Sequence, residues 1–251
     1  MRMDTLLDLV IVSFNTRGLV LDCLRSIRAH TPAPHRVILV DNGSCDGTVE
    51  AVRQLKWKNV SILVNTDNAG YAKACNQGIC AGNSPYIMLM NSDVLVTPGW
   101  LSPLIECMQS DERIAVVGPK TVDRAGRITG AGIVGTNARH YPRGLFEPDG
   151  PGVFEKQEDC ISVSGAAYLI RRDLLPVLGM FDERYFFYFE ETDYSFRARS
   201  QGFRVVYCPR SRIYHLMGRS CQDHAYLRAL FERSERYFRS KWAHLMTEEN
   251  A

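Results

Sequence analysis

The order of apolar runs and helical patterns in this 251-residue chain predicts an α/β protein: a doubly wound, mainly parallel central sheet flanked by helices. Two observations carry that expectation. Short continuous apolar runs alternate with segments of helical spacing through the first half, as a parallel sheet covered on both faces requires. Four of the turns that follow those runs, at 13–15, 41–43, 66–70 and 91–93, are polar, and ligands in such sheets bind beyond the carboxyl ends of the strands.

The elements follow in order. Residues 9–14 (LVIVSF) are too short and too continuously apolar for a surface helix and read as a covered strand. Leu21, Leu24 and Ile27 share one face of a helix over 19–29. A strand at 37–40 ends at Asp41, and the Asp46-Gly47 turn opens a helix over 48–55. A strand at 60–64, a helix over 72–81 and a strand at 86–90 come next. Pro98 marks the start of a helix over 98–108, and 114–117 is a further strand.

The second half is less regular. Residues 123–152 are rich in Gly, Pro and Arg with weak periodicity, which predicts a mobile loop. Strand structure is expected around Gly165 (161–170), a helix over 191–200, a strand at 204–207 and a final helix over about 222–242. No linker separates independent domains, so 1–251 is read as one domain. Within it, 8–118 and 119–221 are read as two halves and 222–251 as a C-terminal amphipathic helix.

Composition narrows the function. Net charge is +2, too little for a nucleic-acid-binding polycation. No apolar run approaches the roughly 20 residues that span a bilayer, and the first residues lack a signal-peptide layout; a cytoplasmic chain is expected. Eight cysteines at irregular spacing, with no C-x-x-C, read as reduced and mostly buried thiols. The turn after the first strand lacks G-x-G-x-x-G, which disfavours a nicotinamide dehydrogenase.

Several residues carry chemistry. Asp93, in Asn91-Ser92-Asp93 at the carboxyl end of an apolar strand, is placed to hold a divalent ion. Mg²⁺ takes few protein carboxylates when phosphate oxygens complete its shell. Asp41 reads equally as part of an Asn-Gly turn and as an acceptor for a nucleobase N–H. Five aromatics at 185–189 precede Glu190, Glu191 and Asp193. Carboxyls crowded beside that much apolar surface have raised pKa values, useful in a general base.

Seven segments in order, VIVSFN, VDNGSCDGT, NTDNAGYAKACNQGI, MLMNSDV, SGAAYLIRRD, GMFDERYFFYFEETDYSFRARSQGFRVVYCPRSRIYH and Gly218-Arg219-Ser220, run through nearly the whole chain. Together they resemble the family-2 glycosyltransferases, inverting enzymes of Rossmann-like GT-A fold, close to rhamnosyltransferase-like members of polysaccharide assembly. The resemblance implies a nucleotide-diphosphate-sugar donor, a saccharide or lipid-linked acceptor and a Mg²⁺ or Mn²⁺ cofactor, with 8–118 as the nucleotide-sugar-binding half and 119–221 as the acceptor and catalytic half. It implies that Asp41 recognises a uracil or thymine ring, with Ser13 and Asn15 lining the nucleotide pocket and Asn68, Gly70 and Asn76 near the donor. Asn91, Ser92 and Asp93 stand where the family has its D-x-D metal motif; Asn91 replaces the first Asp, leaving Asp93 with His215 on the metal or diphosphate. The family's base is the Asp of a Glu-Asp pair. Here the pair is Glu190-Glu191, so Glu191 takes that role, with Glu190 or Asp193 sharing it or Asp193 holding the site together. These departures also motivate a second reading, a nucleotide-sugar-binding scaffold without turnover.

The C-terminal helix carries Leu227, Leu230, Phe231, Phe238 and Trp242 roughly on one face, among four arginines. Such a face packs on the core or lies peripherally on an anionic membrane.

Overall fold

The computed structural model describes residues 5–218 and 223–246. The alternation is realised as β1 (Leu7–Ser13), α1 (Arg17–His30), β2 (His35–Asp41), α2 (Thr48–Gln54), β3 (Val60–Val64), α3 (Tyr71–Ala81) and β4 (Tyr86–Asn91). After β4 come β5 (Val94–Val96), α4 (Leu101–Gln109) and β6 (Ile114–Val122). Strands β3, β2, β1 and β4 lie side by side and parallel, with Ser13 opposite Asp41 and Val12 opposite Asn91. The polar ends of β1, β2 and β4 therefore share one edge of the sheet.

The second half adds β7 (Ile128–Gly130), β8 (Ile133–Gly135), β9 (His140–Pro142), β10 (Glu158–Asp159), β11 (Ala167–Arg171), α5 (Leu175–Leu178), α6 (Glu190–Ser200), β12 (Arg204–His215) and α7 (His224–Lys241). Among the described residues the main sheet has ten strands, in the path β10-β12-β6-β11-β4-β1-β2-β3, with β5 on β12 and β7 on β6. All its longer strands run one way except β11, which lies antiparallel between β4 and β6. The core fills both faces. Leu9, Ile11, Met88, Met90 and Trp100 pack on one, and Val10, Ile38, Leu89, Tyr168 and Phe196 on the other.

Three expectations change. The loop foreseen at 123–152 is folded: β7 returns onto β6, β8 and β9 form a hairpin, and a buried Lys120–Asp149 ion pair closes the segment. Its periodicity is weak because its strands are three residues long and separated by glycine turns. The strand expected at 161–170 is confined to β11. The strand expected to stop at residue 207 continues to His215, because a register shift between Cys208 and Arg212 accommodates Pro209. A bulge is where a sheet tolerates a residue that cannot donate.

The cysteines of the described residues are all free thiols, with Cys23, Cys75, Cys107, Cys160 and Cys208 buried. Among those residues no helix is long and apolar enough to cross a membrane.

Candidate active site

The shared sheet edge is organised by Asp41. Its carboxylate is fully buried: Ser13 Oγ and Ser44 Oγ both donate to Oδ2 at 2.7 Å, and the Ser44 N–H donates to Oδ1 at 2.8 Å. Asn15 caps the same turn in a left-handed conformation (φ 53°). Its N–H donates to Ser44 Oγ and its Oδ1 accepts from the Cys45 N–H, each at 2.8 Å. Ser13, Asn15 and Asp41 thus come together at this turn, and of the three Asn15 lines the cavity beside it. Asp41 accepts three hydrogen bonds from its own surroundings and is shut off from solvent.

Above this turn lies a cavity of about 640 Å³. One wall is polar, formed by Asn15, Thr16, Asn42, Asn68, Asn91 and Ser92. The rest of the lining is mainly aromatic and aliphatic, including Tyr71, Phe186, Phe187, Tyr226, Leu227 and Leu230. Asn42 Nδ2 donates to Asn68 Oδ1 (3.1 Å) and to Gly70 O (3.2 Å), while the Gly70 N–H donates to Asn68 Oδ1 (3.1 Å). Gly70 has φ +85°, and a Cβ there would stand 2.8 Å from Phe186; both backbone conformation and space demand glycine. The Tyr71 N–H then donates to Phe186 O at 2.7 Å, which fixes the aromatic wall to the start of α3.

Among the described residues no ionised side chain lines this cavity. Charge enters beside it. Asp93 follows Ser92 and is 3% exposed; its Oδ1 lies 3.4 Å from His215 Nε2. The contact comes from β5, which places Val94 opposite His215 on β12. His215 Nδ1 is buried without a hydrogen-bond partner among the described residues. No cluster of three or more His, Cys, Asp or Glu side chains suited to a metal occurs there. One carboxylate and one imidazole fit a divalent ion that completes its shell with diphosphate oxygens.

The carboxyl pair sits at the start of α6. Tyr188 and Phe189 hold left-handed conformations (φ 71° and 70°) immediately before Glu190, a strain that must be fixed by packing. Phe189 packs against Phe231 and Phe238 of α7 at 5.2 and 5.1 Å, and Ser234 Oγ donates to Phe187 O at 2.8 Å. Glu190 is 4% exposed. Burial, then the neighbouring Glu191 charge, push its carboxyl well above the ordinary range. Burial raises Glu191 as well, so the pair retains a proton more readily than free carboxyls do. Tyr71 joins this pair to the cavity: burial, Cys75, Glu190 and Glu191 all raise its phenol.

Two expected site residues face elsewhere. Asp193 is fully buried and accepts from Trp242 Nε1 (2.9 Å) and Tyr185 Oη (3.2 Å), with Lys241 Nζ at 2.7 Å and Arg197 Nε at 3.2 Å. Those contacts tie Asp193 to the end of α7 and to Arg197 on its own helix, away from the residues that line the cavity. Asn76 exchanges hydrogen bonds with the Phe181 backbone and donates to Glu183, so it pins the approach to the aromatic loop and does not line the cavity. Asn42, Tyr71, Phe186 and Phe187 were not singled out from sequence, although all lie inside the matched segments. The α7 face is used by the protein itself: Phe238 and Trp242 are 1% and 6% exposed in the core, and Leu227 and Leu230 roof the cavity. Phe238 and Trp242 thus pack on the core, whereas Leu227 and Leu230 are half-buried and Tyr226 and Phe231 are exposed. Arg219 and Ser220 of the last matched segment lie outside the described residues.

A model of the family described as glycosyl transferase family 2 matches residues 8–175. The chain is 28% identical over 242 residues to the N-acetylglucosaminyl-diphospho-decaprenol L-rhamnosyltransferase of Mycobacterium tuberculosis, covering 85% of this chain and 76% of that one. It is 29% identical over 218 residues to the O-antigen biosynthesis protein RfbC of Myxococcus xanthus, covering 82% of this chain but 17% of that one. In three dimensions it resembles the mannosyltransferase PcManGT from Pyrobaculum calidifontis in complex with GDP-Man and Mn²⁺, with a TM-score of 0.66 at 16% identity. It also resembles GalNAc-T7 with UDP, GalNAc and Mn²⁺, with a TM-score of 0.68 at 16% identity. These alignments cover 91% and 86% of this chain and 61% and 44% of those two. The family match, which spans most of the chain, and the shared GT-A architecture lead to one conclusion: this chain belongs to glycosyl transferase family 2.

Proposed function

We propose that the chain is an inverting transferase that moves a sugar from a UDP- or dTDP-linked donor, dTDP-rhamnose foremost, to a hydroxyl of a saccharide or lipid-linked acceptor in polysaccharide assembly. The observation that carries this reading is the convergence at one sheet edge of an amide-lined cavity, the Asp93–His215 pair and the Glu190-Glu191 carboxyls. The rhamnosyltransferase relative supports the donor sugar and the lipid-linked acceptor.

The nucleotide occupies the cavity, held by Asn15, Asn68, Asn91 and Ser92 over the turn that Asp41 and Ser13 fix. Asp93 and His215 would hold a Mg²⁺ or Mn²⁺ ion, which when bound neutralises charge on the diphosphate. Glu191 takes the proton of the acceptor hydroxyl as that oxygen attacks the anomeric carbon from the face opposite the nucleotide. The anomeric C–O bond breaks and the nucleoside diphosphate leaves with its electron pair. The raised proton affinity of the pair lets Glu190 and Glu191 retain one proton between them while the other carboxylate acts as base.

General-base catalysis contributes about 10²–10⁴-fold. Glu191→Gln is expected to lower kcat by that order with the donor Kd nearly unchanged, read in a UDP- and dTDP-sugar panel with Mn²⁺. Near-normal turnover by this variant removes Glu191 as the base. Metal-dependent donor binding by the wild type, with no turnover on any acceptor, favours the scaffold reading instead.

A further inference from the structure

Glu191 lies in the first turn of α6, and its side chain, one methylene longer than an aspartate's, must go somewhere. The structure shows where. A Cβ built on Gly165 would lie 3.2 Å from Glu191 Cδ and 3.3 Å from both Cγ and Oε1. Gly165 does not have the positive φ that would demand glycine for conformational reasons, so its lack of a side chain matters as space. The backbone around this gap is also fixed. Tyr71 Oη approaches Gly165 O at 3.5 Å, and Tyr168 Oη, on β11 three residues later, donates to Glu191 O at 3.0 Å. A buried chain of hydroxyls backs that bond, with Ser162 Oγ 2.8 Å from Ser195 Oγ and Ser195 Oγ 2.6 Å from Tyr168 Oη. Ser162, Ser195 and Tyr168 are all fully buried.

We infer that Gly165 and Tyr168 are positioning residues that form a seat for Glu191, in which the missing side chain at 165 accommodates the longer acid. Tyr168 fixes the main chain of the first turn of α6, and the gap at Gly165 receives the carboxyl. Position 165 and the length of the acid at 191 are therefore coupled: a methyl at 165 suits aspartate, and hydrogen suits glutamate. This rests on Glu191 being the base.

The test is a double-mutant cycle on Gly165→Ala and Glu191→Asp, with kcat, donor KM and thermal midpoint measured for all four proteins. Displacing a catalytic group by about 1 Å can cost 10²-fold. A shift of a few tenths of an ångström at Gly165→Ala is expected to lower kcat about tenfold, with donor KM changed by less than about twofold. In the Glu191→Asp background the same methyl should cost little or raise kcat, a coupling that a merely structural glycine would not produce. Equal fold losses in the two backgrounds overturn the seat. If Gly165→Ala alone fails to fold, the cycle is read on stability: recovery of folding by Glu191→Asp supports the seat, and no recovery overturns it. Glu191→Gln, run beside the cycle, separates the two ideas. Retained turnover there rejects the base itself, whereas loss of turnover with additive cycle effects rejects only the seat.

Discussion

At the residue scale the Glu190-Glu191 pair sets the electrostatics of the site. Two adjacent carboxyls at the start of one helix, Glu190 buried and Glu191 half-buried, cannot both ionise cheaply. Folding therefore raises the proton affinity of Glu190, and the consequence for stability has a definite sign. From its ordinary value of 4.5 up to its raised value, the native protein holds a proton that the unfolded chain has released. Stability falls as pH rises through that window. Glu190→Gln is expected to flatten this fall, so that the urea midpoint drops less between pH 5 and pH 8 than in the wild type. Parallel midpoint-versus-pH curves for the two proteins would show that Glu190 titrates normally. With Glu191 as the proposed base, its raised proton affinity is expected to move the acidic limb of the kcat/KM profile above the ordinary carboxylate range, because a base works only when ionised.

At the element scale α7 decides whether the catalytic turn keeps its shape. Tyr188 and Phe189 are held left-handed, a conformation that costs bulky residues of order 1–3 kcal/mol each. Phe231, Ser234 and Phe238 of α7 hold that turn from outside. The far end of α7 is locked by Lys241 and Trp242 on Asp193 and by Lys241 on Asp182 (2.8 Å). Phe238→Ala is expected to destabilise the protein by about 3–5 kcal/mol, as loss of a buried aromatic does, and to lower kcat below that of a surface control at a temperature where both are folded. Unchanged kcat in the folded variant would mean that α7 supports the fold without shaping the turn. The residues that matter here were legible in the sequence as an apolar helical face. What that face covers was not, because helical periodicity reports that a stripe is buried and not what buries it.

At the scale of the whole molecule, the sheet brings together groups far apart in the chain. Asp41 meets Ser13 and Ser44, Asp93 meets His215, and Glu191 meets Gly165. Distant segments also close the base of the sheet: buried Asp8 accepts from Ser84 and from Arg172 Nη2 at 3.0 Å. Because the cavity wall is shared by β1, β4, α3 and α7, a donor that fills it stabilises the fold as a unit. A ligand at 100 times its Kd adds about 2.7 kcal/mol, which for a chain of this size corresponds to a rise in Tm of about 5–10 °C. A UDP- or dTDP-sugar with Mn²⁺ is expected to give that shift, and Asp93→Ala to reduce it. No shift with any donor of either nucleotide would count against the cavity as the donor site.

The amino-acid sequence determined the alternation of strands and helices, and with it the sheet edge where Ser13, Asp41 and Asn91 end. These follow from local patterns, apolar runs of strand length and turn residues after them, that few-residue windows specify. Strands broken by proline or only three residues long escaped it, as β12 beyond Cys208 and β5 show, since short or interrupted segments carry little periodicity. Tertiary structure alone decided the partners. The bulge at 208–212 and the register of β5 on β12 set His215 beside Asp93 across more than a hundred residues. The antiparallel entry of β11 brings the Gly165 segment against α6, and the packing of α7 sets Trp242 and Lys241 on buried Asp193. Contacts of this kind depend on which surfaces meet when the chain collapses, and no local pattern encodes that choice.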